Sequence, residues 1–331
     1  MSLSPRCVLV TTFPFGEVDR APFDLLKAEG IEVRTNPFGR RLREEELVEI
    51  VPGCTAMIAG TEPITARVLR AATDLAVIAR VGIGLDSVDL LEARRRNVRV
   101  AYTPDAPSAA VAELTIGLMI DALRGVTAAD RVIRRRRWQR TLGRRLSEST
   151  VGVIGVGRIG KRVIAHLSGG FPGVRVLAND LAPDMEFGAA RGVAWVDKST
   201  IYREAEVITL HIPLTLDTKH LIGNAELATM RSDAILINVS RGGIVDEAAL
   251  AEALTGARLG GAGVDVFETE PYTGPLAEVE SCVLTCHMGS MSVDCRRRME
   301  REATMEIVRF FRDEPMRAAV PEAEYALAAS R

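Results

Sequence analysis

One stretch constrains this chain more than any other: Val151 to Asp180 reads VGVIGVGRIGKRVIAHLSGGFPGVRVLAND. Val151, Val153 and Ile154 form a short apolar, β-branched run with the composition of a buried parallel strand. Gly155, Gly157 and Gly160 follow with the spacing G-x-G-x-x-G, and Lys161 to Leu167 carry a helical apolar pattern. A second apolar run, Val174 to Ala178, closes the unit and leads to Asp180. Gly155 suits a tight turn, Gly157 a close approach of backbone to a pyrophosphate, and Gly160 close packing of helix on strand. Amides at the start of the helix can hold phosphates, and an acid 20 residues past Gly160 can accept hydrogen bonds from a ribose. A glycine triplet alone also arises in ordinary turns. Here strand, triplet, helix, strand and acid come in order, which points to a dinucleotide. Leu181 and Ala182 follow the acid where an arginine would suit a 2′-phosphate, so NAD is favoured over NADP.

A chain of 331 residues has room for about two domains. Apolar residues reach 47 % with aromatics at 5 %, which predicts an aliphatic core of sheets covered by helices on both faces. Basic and acidic residues nearly cancel, 42 against 44, so no global field favours nucleic acid or an anionic membrane. Ser4-Pro5-Arg6 runs into a strand without the apolar segment and cleavage site of a signal peptide. No apolar stretch approaches the roughly 20 residues of a span. The expected location is the cytoplasm. Cys7, Cys54, Cys282, Cys286 and Cys295 are odd in number in a large chain, which argues for reduced thiols. Cys282 and Cys286 lie near His287 but lack a second ligand pair, and His166, His211 and His220 stand in unrelated segments, so no metal site is expected.

Before the fingerprint, strands are expected near Cys7–Thr12, Ile31–Thr35, Ala56–Ala59, Ala76–Arg80 and Val98–Tyr102. Helices are expected at Phe23–Glu29, Arg41–Val51 and Thr65–Ala72. The alternation predicts a small parallel sheet without a fingerprint of its own. Its fourth strand empties into Arg80-Val81-Gly82-Ile83-Gly84, where exposed amides can form a carboxylate nest or an ordinary turn. Thr103-Pro104-Asp105-Ala106-Pro107 is stiffened by two prolines and is a candidate hinge. Ser108 to Leu123 is apolar and helical. Arg131 to Arg145 holds eight arginines around Trp138, read as a solvated or subunit-facing arm rather than a nucleic-acid patch. Later strands are expected at Val207–Leu210, Ala234–Val239, Gly261–Phe267 and Cys282–Thr285, with helices at Asp246–Leu254 and Val293–Phe311.

Three of these strand ends deliver polar side chains: Arg241, Glu270 and His287. Ligands of open α/β sheets bind beyond the carboxyl ends of the strands. A guanidinium can hold a carboxylate or polarise a keto oxygen. An imidazole can give that oxygen a proton as hydride arrives, and a carboxylate can orient the imidazole. Each residue alone has an ordinary surface or loop explanation. Together, downstream of a dinucleotide fingerprint, they point to a redox site.

The chain resembles the D-isomer-specific 2-hydroxyacid dehydrogenases, most closely the phosphoglycerate dehydrogenase-like branch, over nearly its whole length. The resemblance is carried by ARVGIGLDSVDL (79–90), TPDAPSAAVAELTIGLM (103–119), VGVIGVGRIG (151–160), NVSRGGIVDEAAL (238–250), AGVDVFETEP (262–271) and HMGS (287–290). It implies an α/β fold of two Rossmann-like, doubly wound parallel-sheet domains with an interdomain cleft. The NAD-binding domain (103–290) would be inserted into the substrate domain (1–102 plus 291–331). It implies hydride transfer between NAD and C2 of a small D-2-hydroxy or 2-keto acid, such as 3-phosphoglycerate, hydroxypyruvate or glyoxylate. By position it makes Arg241 the substrate-binding and polarising residue, His287 the acid/base and Glu270 its partner. Asp265 would touch the nicotinamide amide, and the amides of Val81 and Gly82 the substrate carboxylate. Arg80 and Arg140 match basic positions of that branch. Arg158, Ile159, Ser240, His287 and Gly289 complete the candidate cofactor contacts with Gly155, Gly157, Gly160 and Asp180. The resemblance also implies a homodimer held by the arm.

Two positions depart from the pattern. Pro107 stands where the family often has asparagine, and Ala59-Gly60-Thr61-Glu62 lacks an arginine that helps hold a phosphate. Two other readings on the same scaffold stay open: a non-enzymatic, NAD(H)-sensing corepressor-like protein, and a dehydrogenase using an inorganic reductant such as phosphite.

Overall fold

Five short strands form the first sheet: β1 (Cys7–Val10), β2 (Glu32–Thr35), β3 (Ala56–Ala59), β4 (Val77–Arg80) and β5 (Arg99–Ala101). All pair in parallel, in the order β2-β1-β3-β4-β5. β1, β3 and β4 are buried along their whole length, as apolar runs covered on both faces should be, whereas edge strand β2 is largely exposed. Thr65 and Asp89 cap the helices Ala66–Ala71 and Leu90–Arg95 by accepting amides of the first turn. The structure is a computed structural model and describes residues 6–329; Ser4 and Pro5 of the N-terminal reading lie outside the described residues.

The second sheet has seven strands: β6 (Thr150–Ile154), β7 (Arg175–Asn179), β8 (Val193–Trp195), β9 (Val207–Leu210), β10 (Ile235–Asn238), β11 (Gly261–Val264) and β12 (Cys282–Leu284). Its order is β12-β11-β10-β9-β6-β7-β8, again parallel throughout. The order reverses at β6, between β7 and β9, the arrangement of a doubly wound nucleotide fold. The chain divides into Met1–Pro107 with Ser290–Arg331 and a second unit, Ser108–Gly289, so the seven-stranded unit is inserted between two parts of the other. Each unit has its own aliphatic core.

Several expected elements are shorter than the apolar runs suggested. β11 stops at Val264 and β10 at Asn238, because the next residues leave the strand ladder for loops that stay buried. β8 has three residues on the sheet edge, too few to show a period of two. The helices Leu90–Arg95, Met185–Arg191, Lys198–Glu204, Asn224–Thr229 and Glu322–Ala329 were also not foreseen. The arginine-rich arm begins as a helix, Val126–Arg134, with no buried residue. Among the described residues no helix is long and apolar enough to cross a membrane.

Candidate active site

The fingerprint folds as its spacing requires. Gly155 has φ +91°, and a Cβ there would lie 2.5 Å from the His211 carbonyl oxygen. A Cβ at Gly160 would lie 2.1 Å from the Gly155 oxygen, so helix Arg158–Gly170 starts hard against the turn. Gly157 is different: a Cβ there meets nothing within 4 Å. It is the N-cap of that helix and makes no side-chain cap, so the helix starts beside open space at the fingerprint. Arg158 is exposed and Ile159 half-buried on the first turn. Asp180, past the end of β7, closes the loop: its Oδ2 accepts the Val156 amide at 2.6 Å and its Oδ1 the Ala182 amide at 2.9 Å.

His211 follows β9 at the same carboxyl edge and was not singled out from sequence. Its Nε2 lies 3.0 Å from Thr209 Oγ1, while Nδ1 is buried and bonds to nothing. Burial holds the ring neutral, pulling its pKa down to about 3. An open space beside Gly157 at the start of that helix, and a buried ring nitrogen lacking a partner, are features a bound dinucleotide would complete, and the residues present fit one.

On the other side of the switch point, β10, β11 and β12 are successive neighbours, and each ends in a candidate chemical group. Arg241 lies beyond β10, half-buried, with Nη1 donating to the Ser240 carbonyl at 2.6 Å. Ser240 is itself nearly buried and donates its hydroxyl to Asn238 Oδ1 at 2.9 Å. Beyond β11, Asp265 is 1 % exposed and organises the next loop rather than facing solvent. Its Oδ1 accepts Thr285 Oγ1 (2.6 Å) and the Met288 amide (2.8 Å), and its Oδ2 the Gly289 amide (2.9 Å). Its carbonyl accepts the His287 amide at 2.8 Å. These bonds hold His287 at φ +51°, a left-handed conformation uncommon for a residue with a Cβ.

The structure brings Glu270 and His287 together. The two Glu270 oxygens lie 2.9 and 3.0 Å from His287 Nδ1. An ionised carboxylate only accepts, so Nδ1 carries the proton and Nε2 is left for other work. Glu270 Oε1 also accepts the Phe267 amide at 3.2 Å, which pins the carboxylate to its own loop. The His287 side chain is 35 % exposed, so the ring stays reachable.

Val81 and Gly82 lie beyond β4, where the Val81 amide donates to the Ala59 carbonyl at 2.8 Å. The Gly82 amide donates to Thr103 Oγ1 at 2.7 Å. Both amides therefore have partners inside their own unit. Sequence alone could not see these bonds, because Thr103 is 21 residues away. Arg80 is 7 % exposed and donates to the Val81 carbonyl, with its guanidinium against Gly82.

Residues 116–289 match the family profile of the D-isomer specific 2-hydroxyacid dehydrogenase, NAD binding domain. A hydroxypyruvate reductase of Thermotoga maritima is 34 % identical over 291 residues, covering 86 % of this chain and 92 % of that protein. A D-3-phosphoglycerate dehydrogenase of Methanocaldococcus jannaschii is 37 % identical over 262 residues, covering 77 % of this chain but 49 % of that one. Among solved structures, the TT0316 protein of Thermus thermophilus superposes with a TM-score of 0.87 at 33 % identity, over 95 % of this chain and 100 % of that chain.

Proposed function

This chain belongs to the D-isomer-specific 2-hydroxyacid dehydrogenase family, and on that premise we propose that it moves a hydride between NAD(H) and C2 of a small D-2-hydroxy or 2-keto acid. The observation that carries the proposal is the Glu270–His287 bond, which fixes one imidazole tautomer beside the strand ends of a dinucleotide unit. NAD(H), when bound, supplies or takes up the hydride. Gly157 and the first amides of helix Arg158–Gly170 would hold the pyrophosphate, and Asp180 has lone pairs left for ribose hydroxyls. Asp265, Ser240 and Gly289 would border the nicotinamide end.

In the reducing direction His287 Nε2 gives a proton to the keto oxygen, and Glu270 stabilises the imidazolium before transfer and keeps the ring aimed. In the oxidising direction Nε2 takes the hydroxyl proton. Arg241 holds the carboxylate or polarises the keto oxygen with its planar fork. By position in the family, Arg80 and the amides of Val81 and Gly82 are the further candidate substrate contacts.

Hydroxypyruvate or glyoxylate is the better substrate class than a phosphorylated acid. Where an arginine would serve a phosphate, β3 is followed by Glu62, 1 % exposed, accepting from Thr11 Oγ1 and from the Gly60 amide at 2.7 Å. A homodimer is the favoured assembly. Val126, Ile133, Trp138 and Leu142 are all more than half exposed along the arm, apolar surface that a second copy would cover. Five free thiols suit the cytoplasm.

The test is NADH oxidation over a panel of 2-keto acids, phosphorylated and not, with NAD and phosphite as a separate arm. Turnover of at least one unphosphorylated keto acid is expected. Silence across the panel with NADH still bound would favour the sensor reading, and turnover with phosphite alone the inorganic reductant.

A further inference from the structure

The loops beyond β9, β10 and β11 are stitched together at one corner of the seven-stranded unit. His220, in the β9 loop, has φ +51° and donates its amide to the Gly243 carbonyl of the β10 loop at 2.7 Å. Its Nε2 lies 2.9 Å from Glu268 Oε1 in the β11 loop. The Glu268 amide donates to Glu247 Oε1 at 2.7 Å, tying that loop to the helix Glu247–Thr255. Gly242 has no room for a Cβ, which would fall 2.0 Å from the Phe267 carbonyl carbon. Phe267 in turn stacks on Tyr272 with centroids 4.1 Å apart and gives its amide to Glu270. All but the first of these contacts touch the short segment that presents Glu270 to His287.

The corner is also crowded with like charge. Glu247 has its pKa raised first by burial and further by the charges of Glu268, Glu270 and Asp246. Glu268 and Glu270 are two residues apart, and without a counter-group they would push each other away. His220 is the group that meets Glu268. We propose that His220 and Glu268 act as positioning residues, a clasp between the β9 and β11 loops that holds Glu270 in register with His287. The proposal rests on the reaction given above but concerns residues that need not touch substrate or cofactor.

Both side chains are 41 % exposed, so the pair contributes little to global stability and its variants should fold. His220→Asn keeps a residue that tolerates the left-handed conformation while removing the ring. Glu268→Ala removes the partner, and Glu268→Gln keeps an acceptor. With the best keto acid from the panel, His220→Asn and Glu268→Ala should each lower kcat about ten-fold, with NADH affinity and Tm near wild type. Glu268→Gln should recover most of the loss. The double variant should be no worse than either single one, because one clasp is broken in each.

The pH profile separates positioning from a simple charge effect. In the reducing direction the alkaline limb reports loss of the imidazolium. If the clasp places Glu270, His220→Asn loosens the carboxylate and moves that limb to lower pH. If His220 acts only as a nearby cation, removing it moves the limb to higher pH or leaves it alone. Unchanged kcat, a limb that rises, or additive losses would overturn the proposal. Should the wild type turn over no acid on the panel, the reaction fails but the clasp does not. The His287 C2 proton titration by NMR must then still shift to lower pH in His220→Asn, and a titration unmoved in that variant sinks it.

Discussion

The two sheets share one construction and differ at their carboxyl edges. Both are parallel, apolar and covered on both faces. At the edge of the seven-stranded sheet the groups are arranged to meet something absent from the chain: an open space at Gly157, a buried His211 nitrogen with no partner, and an imidazole with one free end. At the edge of the five-stranded sheet several polar groups satisfy one another, although Arg296 Nε is buried without a hydrogen bond. Arg296 and Glu300 pair at 2.8 Å while almost fully buried, Glu300 also takes the Gly16 amide, and Glu62 takes Thr11 and Gly60. The groups proposed for the chemistry follow strands of the seven-stranded sheet, whereas the five-stranded edge is largely braced by pairs of its own side chains.

Breaking that comparison starts with the largest effect. His287→Ala should lower kcat about a thousand-fold, the usual loss for a general acid, with NADH affinity kept within about two-fold by fluorescence titration. Near-normal turnover would remove the reaction from this edge. A second pair of variants tests whether space at the fingerprint is left for a ligand or needed for folding. Gly160→Ala must push a Cβ into the Gly155 carbonyl, so it should lower stability by about 1–3 kcal/mol by thermal denaturation. Gly157→Ala meets no protein atom, so its Tm should match wild type while NADH affinity falls about ten-fold. Equal behaviour of the two variants would mean that the space at Gly157 is not a binding space.

The legible part of this architecture was whatever repeats locally. Ala56–Ala59 is an unbroken apolar run, Val207–Leu210 is interrupted only by Thr209, and the helix Val293–Phe311 keeps its period to the end, so their limits follow from pattern alone. Arg241, Glu270 and His287 were legible because each follows a recognisable strand, and the strand-end rule puts such residues on one edge. His211 follows β9 on the same edge, but a lone histidine after a strand carries no signal of its own until its burial and its unpartnered Nδ1 are seen. Other features depended on partners distant in sequence. The Val81 and Gly82 amides look free in a glycine-rich loop and are occupied by Ala59 and Thr103. Asp265 remains a candidate cofactor contact, and the role of its carboxylate in holding residues 285–289 in shape depends on partners about 20 residues away. The edge strand β8 was missed because three residues beside a tryptophan carry no periodic signal.

A pH effect also separates the units. All four histidines, His166, His211, His220 and His287, lie within 108–289, and the other unit has none. His211 is buried neutral, its pKa lowered from 6.5 to about 3. The unfolded chain therefore binds a proton there between those values while the folded chain does not, so stability must fall as pH drops below about 6.5. At about pH 5 the loss amounts to on the order of 2 kcal/mol. In the five-stranded unit Glu46 shows the opposite kind of group. Hydrogen bonds from Arg40 and the Arg43 amide hold its carboxyl well below the usual range, so its contribution persists until pH falls below about 4.5. Hydrogen exchange followed by mass spectrometry between pH 7 and 5, corrected for intrinsic rates, should show segments of the seven-stranded sheet losing protection first. His211→Gln should flatten that dependence. If both sheets weaken together, or the variant keeps the slope, the unpartnered ring is not what sets the two units apart.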